Sequence, residues 1–407
     1  MTSKPLSGNA VIGQSGGPTA VINQSLVGAI EKLAPCRQIK RLLGAHHGVR
    51  GIVKEDFLDL RKIKRDVLER VAQTPAAALG SSRDKPDEAY CEKIFKSFAK
   101  FDVRYFFYIG GNDSADTARI IHEMAAATRY ELRTFHIPKT IDNDLRVTDH
   151  CPGYGSAARY VASAFAGDDR DNASLPGVKI NVVMGRHAGW LTAAAGLARQ
   201  DDADGPHLVY VPEVVCHLVD KFVEDVARIY DRFGRCQIAV SEGVQDETHT
   251  PVVVALAERL GHRVERDSHG NPQLSGTGAL GDFLGDYLKQ KLGEGKKSFR
   301  VRADTLGYPQ RSFAGYASSV DQAEARLAGR TAAEYALEGT LDGSVAFKRA
   351  AGRYRVTCFR AELKDVARKT KDLPRNFINR PGNGVTDAFY KYALPLVGEL
   401  PVIGKLF

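Results

Sequence analysis

YFFYIGGNDSADTARI, residues 105–120, decides how the rest of the chain is read. A mostly apolar run stops on Gly110 and Gly111. Asn112, Asp113 and Ser114 follow, and then apolar positions recur at helical spacing. A buried strand that breaks into a polar loop and then a helix is half of a parallel-sheet unit. FHIPKTIDNDL (135–145) repeats the break, this time into a loop with Lys139, Asp142 and Asp144. Outward from these two, NAVIG (9–13), INVVM (180–184), HLVYV (207–211) and QIAVS (237–241) read as further strands. Helical patterns start after Asn23 and run over 114–126. The chain is therefore α/β, with largely parallel sheets covered by helices on both faces. Such sheets bind ligands at the C-terminal ends of their strands, where these polar loops lie.

The 407 residues suffice for two or three domains. With 43% hydrophobic and 26% charged residues, the composition is globular. The net charge of +8 is spread along the chain. Its clusters, RKIKR (61–65) and ELKDVARKTKD (362–372), are too short for a nucleic-acid block and read as solvated surface. A positive cleft for small anionic substrates is the other reading of the excess. The six cysteines form no CxxC pair and no zinc spacing, so reduced thiols are expected. No stretch reaches the length of a membrane span, and MTSKPLSGNAVIG lacks a signal-peptide core. The expectation is a cytoplasmic protein without membrane or nucleic-acid partners. HRVERDSHGNPQLSG (262–276) reads as an exposed excursion, and Trp190 as core.

The loops differ in what they offer. In QSGGPTAVIN (14–23), Gly16 and Gly17 allow close backbone approach, and the next helix presents free N–H groups to an anion. A tight strand–helix turn explains this stretch as well. GGNDS suits a phosphate with magnesium, which prefers oxygen ligands, or a helix cap at Asp113 or Ser114. In PKTIDND one carboxylate can serve as a general base and the other face a cation, with Lys139 a point charge for phosphate. An Asx-rich turn is the plain alternative. MGRHAGW (184–190) places Arg186 after a strand, as a phosphate ligand or a structural ion-pair residue. RVRADTLGYPQR gathers Arg300, Arg302, Tyr308 and Arg311.

In this order (QSGG, GGNDS, PKTIDND, MGRHAGW, VPEV, LGYPQR) the sequence resembles the phosphofructokinase family over residues 14–311. The resemblance implies two Rossmann-like three-layer domains with the site in the cleft between them. Residues 1–150 would form the donor domain and 151–305 the sugar-phosphate domain, with 306–407 completing both lobes. It implies transfer of a phosphoryl group to the 1-hydroxyl of fructose 6-phosphate. Asp142 matches the general base, with Lys139 and Arg186 joining it in catalysis. Thr140 and Asp144 match neighbours of the transferred phosphoryl group and the metal. Met184, Gly185, Arg186 and Glu213 match sugar-binding positions. Arg302 and Arg311 match 6-phosphate arginines, and Tyr308 stands where histidine is common. Gly17, Arg83, Gly111, Asp113, Ser114 and Lys139 fall on the donor side.

Departures within the resemblance point to the donor. GGNDS stands for the family's GGDGS, and PKTIDND for its PGTIDND. Asp113, in place of glycine, would occupy the room of a nucleotide's α-phosphate and repel it. Lys139 would hold pyrophosphate. The expected enzyme is thus pyrophosphate-dependent and reversible, in glycolysis and gluconeogenesis; the alternative is an ATP-dependent relative. Mg2+ is the implied cofactor, with Asn112 and Asp144 as ligands. Asn112 replaces the family's aspartate, so Asp144, waters and pyrophosphate would hold most of the ion. The family implies a homodimer or homotetramer with shared sites, the counterpart of Arg302 reaching in from a neighbouring subunit. His46 lies near where ATP-using relatives stack adenine, and Lys179 is the nearest cation before the MGR strand.

Overall fold

The computed structural model describes residues 6–84, 86–217, 221–261, 278–295 and 299–406. The excursion expected at 262–276 lies outside them. The strands are β1 (Gly8–Gln14), β2 (Ile39–Ala45), β3 (Phe57–Asp59), β4 (Val103–Gly110), β5 (Arg133–Pro138), β6 (Val178–Val183), β7 (Leu208–Tyr210), β8 (Cys236–Ser241), β9 (Val301–Thr305), β10 (Asp342–Arg349) and β11 (Val356–Ala361). They form two sheets, ordered β11-β10-β5-β4-β1-β2-β3 and β7-β8-β6-β9. The chain divides into two compact units. Unit one holds residues up to Ser156 together with Arg311–Lys371; unit two holds Ala157–Gln310 and the chain from Asp372 on.

In unit one the neighbours β1, β2, β4, β5 and β10 run parallel, and the edge strands β3 and β11 are antiparallel to theirs. Alternation along β4 sorts its side chains onto two cores. Tyr105, Phe107 and Ile109 pack with Ile12, Phe135 and Ile137 beneath helices Ile22–Leu33 and Ser319–Glu338. Phe106 and Tyr108 pack with Val11, Leu43 and Phe98 on the other face, under helices Glu88–Lys100 and Asn112–Ala127. Burial on both faces is why β4 reads as an unbroken apolar run. Register then aligns the strand ends: Gln14 faces Ile109, and Gly110 faces Pro138. The three polar loops leave from one edge of one sheet.

In unit two the pairings β6–β8, β6–β9 and β7–β8 are parallel. Val178, Ile180 and Val182 pack with Ile238, Val240 and helices Val223–Phe233, Val252–Leu260 and Ala279–Leu292. Trp190 is 2% exposed and packs against Phe377 and Tyr392, as a core residue should. All six cysteines are free thiols. Among the described residues no helix is long and apolar enough to cross a membrane.

The six expected strands are present; β2, β3, β9, β10 and β11 were not foreseen. Lys40 and Arg41 interrupt β2, and β9 and β11 alternate with exposed positions, so none shows a continuous apolar run. The charged clusters are mostly solvated surface, as expected: Arg61, Lys62, Lys64 and Arg65 of the first and Glu362, Lys364, Arg368, Lys369 and Asp372 of the second are exposed, although several of these side chains also make bonds. Arg61 of RKIKR donates to the carbonyls of Cys36, Ile39 and Lys40, and Arg368 and Lys371 of the second cluster reach inward to Asp116 and to backbone carbonyls.

Candidate active site

The unit-one half of the site grows from the ends of β1, β4 and β5. After β1, Ser15 N–H donates to Ile109 O and Gly16 N–H to Ser82 O, each at 2.9 Å. Gly16 has φ 75°. A Cβ on Gly17 would lie 2.6 Å from Arg311 Nη1, and one on Gly16 would lie 3.3 Å from Lys139 Nζ. The close approach expected of these glycines is thus taken up by two cationic side chains.

After β4, Gly110 is required because a Cβ there would sit 1.9 Å from Ser114 Oγ. The sequence reading offers Asp113 or Ser114 as the cap of the next helix, and the structure corrects it. The cap position is Gly111, with no side-chain cap bond, and the helix begins at Asn112. Ser114 falls inside the first turn, where its buried hydroxyl donates to Ser15 Oγ at 2.9 Å and ties the two loops together. Asp113 is exposed in that first turn, where a carboxylate also suits the helix dipole. Its N–H donates to Asn112 Oδ1 at 2.8 Å. His136 on β5 supports the bend from below, with Nδ1 at Ser344 Oγ and Nε2 at Gly110 O, both 2.8 Å away. Burial pulls His136 down to about 4, so it is neutral and Nε2–H donates.

After β5, Lys139 is 3% exposed and its ammonium donates to Gly17 O. Burial pushes its pKa down to about 8; Arg311 and Arg83 push the same way, against Asp142 and Asp144. Thr140 Oγ1 accepts the Asp142 N–H at 3.1 Å, and Asn143 sits at φ 54° with its side chain accepting the Cys151 N–H. The plain turn reading is therefore also true of this loop, and the turn is what presents Asp142 and Asp144. Burial raises Asp144, with Lys371 and Lys139 opposing. Unit one thus collects three cations, Lys139, Arg83 and Arg311, around two carboxylates. That field fits a small polyanion approached by a neutral acceptor.

Unit two carries the other expected residues. Met184 N–H donates to Gln310 Oε1 at 3.3 Å, and Gly185, at φ 137°, has its carbonyl held by Ser241 Oγ at 2.6 Å. Arg186 is exposed beyond this turn. One oxygen of Glu213 accepts from Gly189 N–H and Leu373 N–H, both at 2.8 Å. Its other oxygen is buried with no protein partner among the described residues, and burial raises its pKa. A buried acceptor of this kind suits a ligand hydroxyl. Tyr308 is 52% exposed just past the end of β9. Met184, Gly185, Arg186, Glu213 and Tyr308 therefore follow the C-terminal ends of parallel strands. Arg302 does not: it lies near the start of β9, opposite Lys179 on β6. Lys179 is engaged by Asp168 and Asp304. Arg311 belongs to unit one, against Gly17, rather than with Arg302. His46 is paired with Asp56 at 2.8 Å.

Sequence reasoning missed Lys371 and His136. Lys371 was hidden in a charged cluster. His136 reads as one polar residue in an apolar run, a signal that it has buried partners.

The phosphofructokinase family matches residues 9–336 of the chain. The chain is 54% identical over 392 residues to the pyrophosphate–fructose 6-phosphate 1-phosphotransferase of Rhodospirillum rubrum, covering 96% of this chain and 95% of that protein. It is 38% identical over 407 residues to the protein of the same name from Xanthomonas campestris pv. campestris, covering 97% and 93%. The crystal structure of a pyrophosphate-dependent phosphofructokinase from Marinobacter aquaeolei aligns with a TM-score of 0.84 at 32% identity, over 98% of this chain and 94% of that one.

Proposed function

The chain belongs to the phosphofructokinase family, and from that premise we propose how its residues transfer a phosphoryl group from pyrophosphate to the 1-hydroxyl of fructose 6-phosphate. The products are fructose 1,6-bisphosphate and phosphate. The observation that carries the donor assignment is the presence of both an exposed Asp113 in the first turn after Gly110 and Gly111 and a buried Lys139 ammonium beside Gly17. A carboxylate at 113 takes the room and opposes the charge of a nucleotide's α-phosphate. An ammonium flanked by Arg83 and Arg311 favours the compact, highly charged diphosphate.

Asp142 accepts the proton of the 1-hydroxyl, and the oxygen attacks the near phosphorus in line. Lys139, Arg83 and the N–H groups of the loops offset the charge that develops. Thr140 holds the Asp142 turn in place. Met184, Gly185, Arg186 and Glu213 hold the sugar, and the unpartnered oxygen of Glu213 supports a hydroxyl contact. Arg302, Tyr308 and Arg311 serve the 6-phosphate. The place of Arg311 against Gly17 supports an additional part in the donor field. Gly111 has no protein atom closer than 3.8 Å to a Cβ built on it, which supports donor access there.

Among the described residues no three His, Cys, Asp or Glu side chains could hold a metal together. Magnesium is commonly bound by one or two carboxylates plus substrate phosphates. Asp144 and the side-chain oxygen of Asn112 would hold it, and it would supply charge neutralisation at the phosphoryl oxygens. Arg302, remote along its strand from Met184 and Tyr308, supports a homodimer or homotetramer in which it serves a neighbour's site. Light scattering on the purified protein tests that assembly. Initial rates with fructose 6-phosphate and magnesium test the donor: turnover with pyrophosphate and none with ATP is expected, and turnover with ATP alone contradicts the reading.

A further inference from the structure

The loop between β5 and helix Tyr154–Ser174 carries Asp142 and Asp144 without regular structure to hold them. Asn143 and Val147 lie in the left-handed region, at φ 54° and 72°. For a β-branched residue such as Val147 this costs on the order of 1–3 kcal/mol, and it persists only where surrounding bonds fix the chain. One side of the loop is fixed by β10, where Phe347 N–H donates to Thr148 Oγ1 and Asp149 N–H donates to Phe347 O, both at 2.9 Å. Within the loop, Asn143 accepts the Cys151 N–H and Thr140 N–H donates to Pro152 O, and on the other side Lys371 joins both arms. Lys371 N–H donates to Asp144 O at 2.7 Å, and its ammonium donates to Thr148 O at 3.0 Å and Asp149 O at 2.8 Å. Thr370, just before it, forms an isolated bridge with Leu145. Lys371 therefore grips the chain both before and after the strained corner at Val147.

We propose that Lys371 is a positioning residue for phosphoryl transfer: by clamping the carbonyls of Asp144, Thr148 and Asp149 it fixes the orientation in which Asp142 and Asp144 meet the reacting groups. The inference rests on the reading of Asp142 as the base. The ammonium holds main-chain carbonyls, so its removal loosens the loop that carries Asp142 and Asp144, while Arg83, Arg186 and Glu213 lie outside that loop and keep their places. Misplacing a base by a fraction of an ångström slows the chemical step far more than it weakens substrate binding.

Lys371→Met, Lys371→Gln and Lys371→Arg are compared with the parent enzyme by steady-state kinetics with pyrophosphate and by hydrogen exchange. For Lys371→Met, kcat falls roughly 30-fold, KM for either substrate stays within about threefold, and amides in 140–153 exchange roughly tenfold faster while those of β1 and β4 do not change. Lys371→Arg, which keeps the donors, restores kcat to within about threefold. If Lys371→Met does not fold, Lys371→Gln, which keeps a side-chain donor, is read in the same way. Slower turnover without faster exchange in 140–153, or faster exchange without slower turnover, overturns the proposal. Asp142→Asn is the separate control: full activity there sinks the reading of the base, whatever Lys371 does.

Discussion

Lys139 shows at a single residue how function and stability pull apart. Its ammonium is buried, and burial pushes its pKa down to about 8 from the ordinary 10.5. Below about pH 8 the lysine is charged in both the folded and the unfolded chain, and the folded state bears the full cost of burying the charge. Between about 8 and 10.5 the folded chain has released a proton that the unfolded chain still holds, so this cost fades as pH rises. At neutral pH this net cost is on the order of 3 kcal/mol. Lys139→Met should therefore raise the melting temperature at pH 7 by a few degrees while abolishing turnover with pyrophosphate. Thermal unfolding alongside the assay checks both signs, and a less stable variant would refute the assignment. In the parent enzyme, kcat/KM for pyrophosphate should fall as pH rises through about 8.

At the scale of elements, the crossing of helices Ile22–Leu33 and Ser319–Glu338 shows what a sequence reveals and what it hides. Both helices are built partly from small residues, and they meet at two glycines. A Cβ on Gly28 would lie 2.1 Å from Arg326 O, and one on Gly329 would lie 2.0 Å from Ser25 O. Backbone on backbone leaves nothing to rotate away. Gly329→Ala should destabilise unit one by about 1–3 kcal/mol, the usual cost of overpacking, with kcat little altered in the protein that remains folded. Denaturant titration checks this, and an unchanged midpoint would show that the helices separate freely. The first helix was legible from its apolar spacing, and helical patterns were legible in the last hundred residues; that these two helices pack together was not, because contacts between distant segments leave no local pattern. Strands buried on both faces, such as β4, were plain as apolar runs. Strands with charged or half-exposed positions, such as β2 and β9, were not. The polar loops were legible as breaks in apolar runs, and the structure does gather the loops of β1, β4 and β5 at one sheet edge. Side-chain detail within them was less so: Ser114 looked like a cap and is a tie to Ser15, because the helix starts two residues before it.

At the scale of the whole molecule, the chain passes between its two units at 156/157, 310/311 and 371/372. The first passage lies inside helix Tyr154–Ser174, so no Gly- or Pro-rich linker marks it. The second lies inside the short helix Pro309–Ser312, and the third falls in an irregular polar stretch that resembles an ordinary loop. Under the proposed function the labour divides: unit one holds Lys139, Arg83, Arg311 and Asp142, and unit two holds Met184, Gly185, Arg186 and Glu213. A donor as small as pyrophosphate differs little in transfer potential from the phosphate ester formed, so the whole cycle should run backward. Phosphate and fructose 1,6-bisphosphate should yield pyrophosphate and fructose 6-phosphate, followed by the appearance of the pyrophosphate phosphorus resonance. A reaction that proceeds only forward would contradict pyrophosphate as the donor.

The central claim, that Asp113 selects pyrophosphate over a nucleotide, is tested most directly by the ratio of kcat/KM for pyrophosphate to that for ATP, measured for the parent enzyme and for Asp113→Gly. The account predicts a ratio of about 1,000 or more in the parent, falling by roughly 100-fold in the variant as the α-phosphate gains room and loses a repelling charge. A ratio that Asp113→Gly leaves unchanged would contradict it.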